Sequence, residues 1–162
     1  MNTASPKKFP APANDGHSPQ AAEQRCYPAD MQALPDLLDS VVTACVAAGL
    51  SHNSHLRAQL AIEELFTNSV LHGYGGGQAQ PSAAPVTMPV WLMARCIPGE
   101  LRLTYQDGAP PFNPLSQAKR CCASPLEARP VGGLGVTLIE GLDYAVHYEY
   151  KEGRNTLHLV FR

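Results

Sequence analysis

From Ala61 to Tyr74 the chain reads Ala-Ile-Glu-Glu-Leu-Phe-Thr-Asn-Ser-Val-Leu-His-Gly-Tyr. Three of its polar residues, Glu64, Asn68 and His72, stand at i, i+4 and i+8, which puts a carboxylate, a carboxamide and an imidazole on one helical face. That trio suits a ligand site, although an ordinary solvated helix face would carry the same residue types. Further on, Gly132-Gly133-Leu134-Gly135 opens a short apolar run. A glycine-rich turn feeding a helix offers free backbone N–H groups and a helix dipole to an anion, and the missing side chains let phosphates approach. Alone, such glycines are commonly structural, and no Gly-Lys-Ser/Thr follows to make a Walker loop. A third stretch, Asp107-Gly108-Ala109-Pro110-Pro111-Phe112, ends an apolar strand pattern. Its carboxylate can accept from an exocyclic amine and so tell adenine from guanine; read by itself, it is a turn built of the residues turns prefer.

These groups need elements to hold them. Ile62, Phe66 and Val70 form an apolar stripe opposite the polar trio, and no Pro or Gly interrupts the run before Gly73, so one helix is expected there, after Ser51–Ser54. Leu34, Leu37, Leu38, Val41, Val42 and Cys45 predict an earlier helix from about Asp30 to Ala48, with Asp30 as cap, Pro35 in the first turn and Gly49 as the stop. His52 and His55 read as loop or cap residues rather than metal ligands. Residues 25–28 suggest a short edge strand closed by Pro28, and residues 73–85 a loop. Strands are expected over 86–97 and 101–106 around a Pro98-Gly99-Glu100 turn, with Trp91 in the core or on a sheet face. A long irregular segment follows from 107 to 130. A short helix opens at Gly132, and two last strands, 144–151 and 156–161, flank a Glu-Gly-Arg-Asn turn. This order is not the alternation of a doubly wound sheet. It predicts an α+β, two-layer sandwich with about three helices on one face of a mixed, mostly antiparallel sheet.

The 162 residues allow one domain with a full core plus a tail. Residues 1–24 are poor in large apolar side chains and read as a disordered tail before a domain at 25–162. A net charge of -2 gives no electrostatic case for nucleic acid or a membrane surface. No apolar run is expected to reach the roughly 18 residues of a membrane helix, and the two N-terminal lysines precede no signal-like apolar segment. The five cysteines include no C-x-x-C pair, which argues against a disulfide framework or zinc site and for a reducing cytoplasm. Adjacent Cys121 and Cys122 read as two loop thiols.

Taken together, the stretches resemble the Bergerat (GHKL) ATP-binding domain shared by gyrase, sensor histidine kinases, heat-shock chaperones and mismatch-repair ATPases. Within it the chain looks most like the bacterial anti-sigma factor serine kinases. The resemblance runs from about residue 30 to the end, and its boxes occur in family order. Glu64 to Gly73 matches the N box, Asp107 to Leu115 the first glycine box, and Arg129 to Gly135 the second. Asp143-Tyr144 and Gly153 to Leu157 match the closing hairpin. The resemblance implies ATP and Mg²⁺ as cofactors, with Asn68 holding the metal and Glu64 acting as base or orienting the accepting hydroxyl. Asp107 would bind the adenine amino group, in the company of Ala109 and Phe112. Gly132, Gly133, Leu134 and Gly135 would wrap the phosphates with Arg129 reaching them, Asn155 would lie near the base or stabilise a turn, and His72 would support the helix end. Ala109 departs from the family, which usually has glycine there, and its methyl would narrow the space beside the base.

The implied activity is an ATP-dependent serine/threonine protein kinase acting on a small STAS-domain anti-anti-sigma protein. The resemblance also implies a sigma factor as a further partner and a homodimer, with no direct nucleic-acid or membrane contact. The alternative is a partner-switch module that binds ATP or ADP and sequesters a protein without transferring phosphate. A detached histidine kinase catalytic domain fits less well, because His17 has no helical hairpin around it.

Overall fold

The computed structural model describes residues 23–75, 88–116 and 145–162. Five antiparallel strands form one sheet in the order β1-β2-β3-β5-β4: β1 Glu23–Pro28, β2 Pro89–Ile97, β3 Glu100–Asp107, β4 Ala145–Lys151 and β5 Arg154–Phe161. Two α-helices, α1 Leu34–Ala48 and α2 His52–Asn68, complete the two-layer α+β sandwich. The sheet is antiparallel at every described pairing, so the expected mixed character is absent there. The short helix expected from Gly132, along with Cys121 and Cys122, lies outside the described residues. The tail's last two residues belong to β1, and the rest of it is likewise outside.

Local sequence explains the helix ends. Asp30 caps a single 3-10 turn, Met31–Ala33, by accepting from the Gln32 N–H at 2.9 Å, and α1 follows with Pro35 in its first turn. Gly49 ends α1 at φ 68°, the left-handed conformation that favours glycine. The Ser51 side chain accepts from Ser54 N–H, so α2 begins at His52, three residues earlier than expected. His52 and His55 therefore sit in the first turn of a helix, and no group of three or more potential metal-ligating side chains occurs among the described residues.

Period-two alternation sends Leu101, Leu103, Tyr105 and Asp107 of β3 to the helix side, where the first three meet Leu37, Val41, Ile62 and Phe66. Each fully buried Leu, Ile or Phe contributes about 1.5–3 kcal/mol. Met31–Ala48 is long and apolar enough, at mean hydropathy 1.2, to cross a membrane by length and composition alone, which corrects the sequence expectation. The inner face of that helix, through Leu37, Val41, Cys45 and Ala48, is instead part of this core. Cys26, Cys45 and Cys96 are free thiols, and burial pushes Cys45 up to about 11. On the opposite sheet face the Arg154 guanidinium lies 3.9 Å over the Trp91 ring.

The β4–β5 turn differs from expectation in a way that matters for the site. It has two residues, Glu152 and Gly153, both at positive φ (53° and 76°), as a type I′ hairpin requires. Arg154 and Asn155 are therefore strand residues, paired with Lys151 and Tyr150. Because β5 also pairs with β3, Asn155 lies directly beside Asp107.

Candidate functional site

At the C-terminal end of α2, where β3 ends and β5 begins, lies a cavity of about 210 Å³. Among the described residues its wall includes Asn68, Ser69, Asp107, Ala109, Phe112 and Asn155. Five of the expected site residues thus meet in one hollow, although they are far apart in sequence. Glu64 stands one helical turn back from Asn68, whose Nδ2 donates to its Oε1 at 3.3 Å. His72 lies exposed at the rim. Arg129, Gly132, Gly133, Leu134 and Gly135 lie outside the described residues, as does most of the 107–130 segment. Its first part is ordered by the hydrogen bonds described next, and 114–116 are helical rather than irregular.

Asp107 is 6% exposed, and its two carboxylate oxygens are held differently. Oδ1 accepts from Asn155 Nδ2 at 2.8 Å and from the Ala109 N–H at 2.9 Å, while Oδ2 accepts from the Ser69 hydroxyl at 2.7 Å. Asn155 is the keystone of the loop. Its Nδ2 also reaches the carbonyl oxygens of Ala109 and Pro110, both at 3.1 Å, and its Oδ1 accepts from Phe112 N–H at 2.9 Å and Tyr148 OH at 2.8 Å. Asn155 thus shapes the 107–112 loop from a neighbouring strand rather than the turn that precedes it.

Ser69, Tyr74, Tyr105 and Tyr148 are site residues that sequence reasoning did not single out. Tyr105 alternates in phase with Asp107 along β3, a signal that would have put it on the same inward face. Its hydroxyl donates to Ser69 Oγ at 2.9 Å, and burial raises its pKa well above the ordinary tyrosine value. Tyr74 OH accepts the Gly108 N–H at 2.6 Å and donates to the Pro89 carbonyl at 3.0 Å, tying the loop to the start of β2; burial raises this pKa too. Nothing local to the sequence marks Ser69. It opens a π-turn, Ser69–Gly73, whose wider winding is closed by Tyr74 N–H bonding the Ser69 carbonyl at 2.8 Å.

The Ala109 methyl group has an evident counterpart. A Cβ built on Gly73 would lie 2.8 Å from the Ala109 Cβ, nearer than two carbons can approach. The absence of a side chain at Gly73 is thus what accommodates a methyl at 109. Gly73→Ala is expected to destabilise the protein by about 1–3 kcal/mol, and adding Ala109→Gly should restore most of the loss. Chemical denaturation of both variants checks this, and a double variant no more stable than the single would disprove the pairing.

The donor set fits a hard cation held mainly by other ligands. With the Asn68 amino group engaged by Glu64, its carbonyl oxygen is the remaining donor, suited to Mg²⁺, which usually keeps waters and phosphate oxygens and takes few protein ligands. A family profile described as a histidine kinase-like ATPase domain matches residues 27–161. A search of curated proteins finds no match.

Proposed function

Because the chain belongs to the histidine kinase-like ATPase domain family, and so is an ATP-binding domain, we propose that it is a serine/threonine protein kinase whose substrate is a small STAS-domain antagonist. In this reading it works in a cytoplasmic partner-switching system as a homodimer, with a sigma factor as the further partner. The observation that carries the reading is the Glu64–Asn68 pair at the cavity's edge, one carboxylate and one carboxamide bonded to each other. A domain that only binds nucleotide has no use for a base at that point.

The residues divide the work as follows. Asp107 accepts the amino group of the base, held in place by Asn155, and the Ala109–Phe112 loop packs around the ring. Asn68 offers its carbonyl oxygen to Mg²⁺, which when bound offsets the charge of the phosphate oxygens. The glycines at 132, 133 and 135 are assigned to the phosphates. Glu64 takes the proton from the attacking serine or threonine hydroxyl as that oxygen bonds the γ-phosphorus and the bond to the ADP leaving group breaks. Phosphoryl transfer depends mainly on positioning and charge stabilisation, so this small set is sufficient.

The test is incubation with γ-labelled ATP and the STAS-domain proteins of the same cell, comparing the native chain with Glu64→Gln. The expected result is one labelled serine or threonine, with transfer in the variant lowered by about 10²-fold or more while ATP binding is kept. Binding without any labelling would replace the kinase by a nucleotide-dependent partner switch. Full activity in Glu64→Gln would remove Glu64 as the base.

A further inference from the structure

We propose that Ser69 is a positioning residue for base selection: its hydroxyl, at the centre of a Tyr105–Ser69–Asp107 hydrogen-bond chain, orients the Asp107 carboxylate so that a single acceptor site is left for a purine amino group. This rests on the reading of the cavity as an ATP site.

The argument is a count of hydrogens and lone pairs. A carboxylate only accepts, and its two oxygens offer about four lone-pair sites. Oδ1 is filled by Asn155 Nδ2 and the Ala109 N–H, and Oδ2 is half filled by Ser69. One site remains, on Oδ2. The Ser69 hydroxyl has one proton and two possible acceptors, Asp107 Oδ2 at 2.7 Å and the Leu65 carbonyl at 3.0 Å. The charged, shorter partner takes it. Tyr105 OH, a buried phenol whose raised pKa keeps it a donor, also has two acceptors, Ser69 Oγ at 2.9 Å and the Leu65 carbonyl at 3.3 Å, and its proton goes to the nearer Ser69 oxygen. The chain thus runs in one direction and ends on the carboxylate.

Its consequence is selectivity rather than affinity alone. An amino hydrogen meets the open lone pair, whereas a ring carbonyl in the same place meets lone pair against lone pair. Sites built to bond a substrate N–H strongly reject analogues that lack it. Without the Ser69 proton, Oδ2 has two open acceptor sites, and the carboxylate is anchored through Oδ1 alone. Water or another donor can then satisfy it whichever base is present.

The experiment measures dissociation constants for ATP and for purine riboside triphosphate, which has hydrogen in place of the 6-amino group. It compares the native chain with Ser69→Ala, Ser69→Thr and Tyr105→Phe. Ser69→Ala is expected to lower the preference for ATP by about tenfold, chiefly by weakening ATP, and Ser69→Thr, which keeps the hydroxyl, to retain it. An unchanged preference in Ser69→Ala, with the native chain discriminating, would overturn the role of Ser69 and leave the ATP site standing. A native chain that binds both nucleotides equally would instead remove the amine contact itself, and this inference with it. If Ser69→Ala does not fold, Tyr105→Phe reads the same chain. There a preference lowered about threefold supports the inference, and an unchanged one overturns it.

Discussion

Asn155→Ala is expected to lower stability by about 3 kcal/mol and to disable nucleotide binding. The side chain is 2% exposed and makes five hydrogen bonds, to Asp107, Ala109, Pro110, Phe112 and Tyr148. Truncation leaves the Ala109 carbonyl and one lone pair of a buried carboxylate without their partner, and each such loss costs about 1–3 kcal/mol. The three partners nearer the surface, Pro110, Phe112 and Tyr148, can turn to water and add little. For a chain of this size the loss corresponds to a fall in melting temperature of roughly 6–12 °C. Thermal unfolding checks the first part, and titration with ATP the second. A melting temperature within a degree or two of the native value would mean that the loop does not depend on this amide.

Asn68→Ala is expected to behave in the opposite way, keeping the fold and losing function. Asn68 is half-buried at the cavity wall, and the side-chain bond it makes is to Glu64 on the same helix. Removing it costs little stability, since neighbouring helix positions contribute only a few tenths of a kcal/mol per pair and alanine is the best helix former. If its carbonyl oxygen holds Mg²⁺, however, the variant loses a ligand that orients the phosphates, and turnover should fall by about 10²-fold or more. Calorimetric titration with ATP, with and without Mg²⁺, separates the effects. The native chain should bind more tightly with the metal, and the variant should lose that difference. Retention of the full metal dependence would disprove the assignment. Together, the two asparagines make the distinction between holding the site's shape and doing its chemistry measurable.

Sequence periodicity determined the helices and strands, including the buried stripe Ile62, Phe66 and Val70 and the closely spaced Glu64 and Asn68, because a helix repeats every 3.6 residues whatever it packs against. It also placed Asp107 at the end of a strand. Three features of the site could not be read this way, each because it depends on a partner remote in the chain. The hydrogen bond of Asn155 to Asp107 spans 48 residues and exists because a two-residue turn sets the β4–β5 register and β5 then pairs with β3. One residue of slip would have turned Asn155 to the other face. The fit of Gly73 against Ala109 joins a helix end to a loop beyond β3. Ser69 meets both Tyr105 and Asp107 at the opening of a π-turn, a departure from helical winding that no local residue pattern announces. Local chemistry thus chose the residue types and the elements that carry them, while tertiary packing decided which polar groups face one another, since that depends on the relative placement of segments rather than on the period within any one.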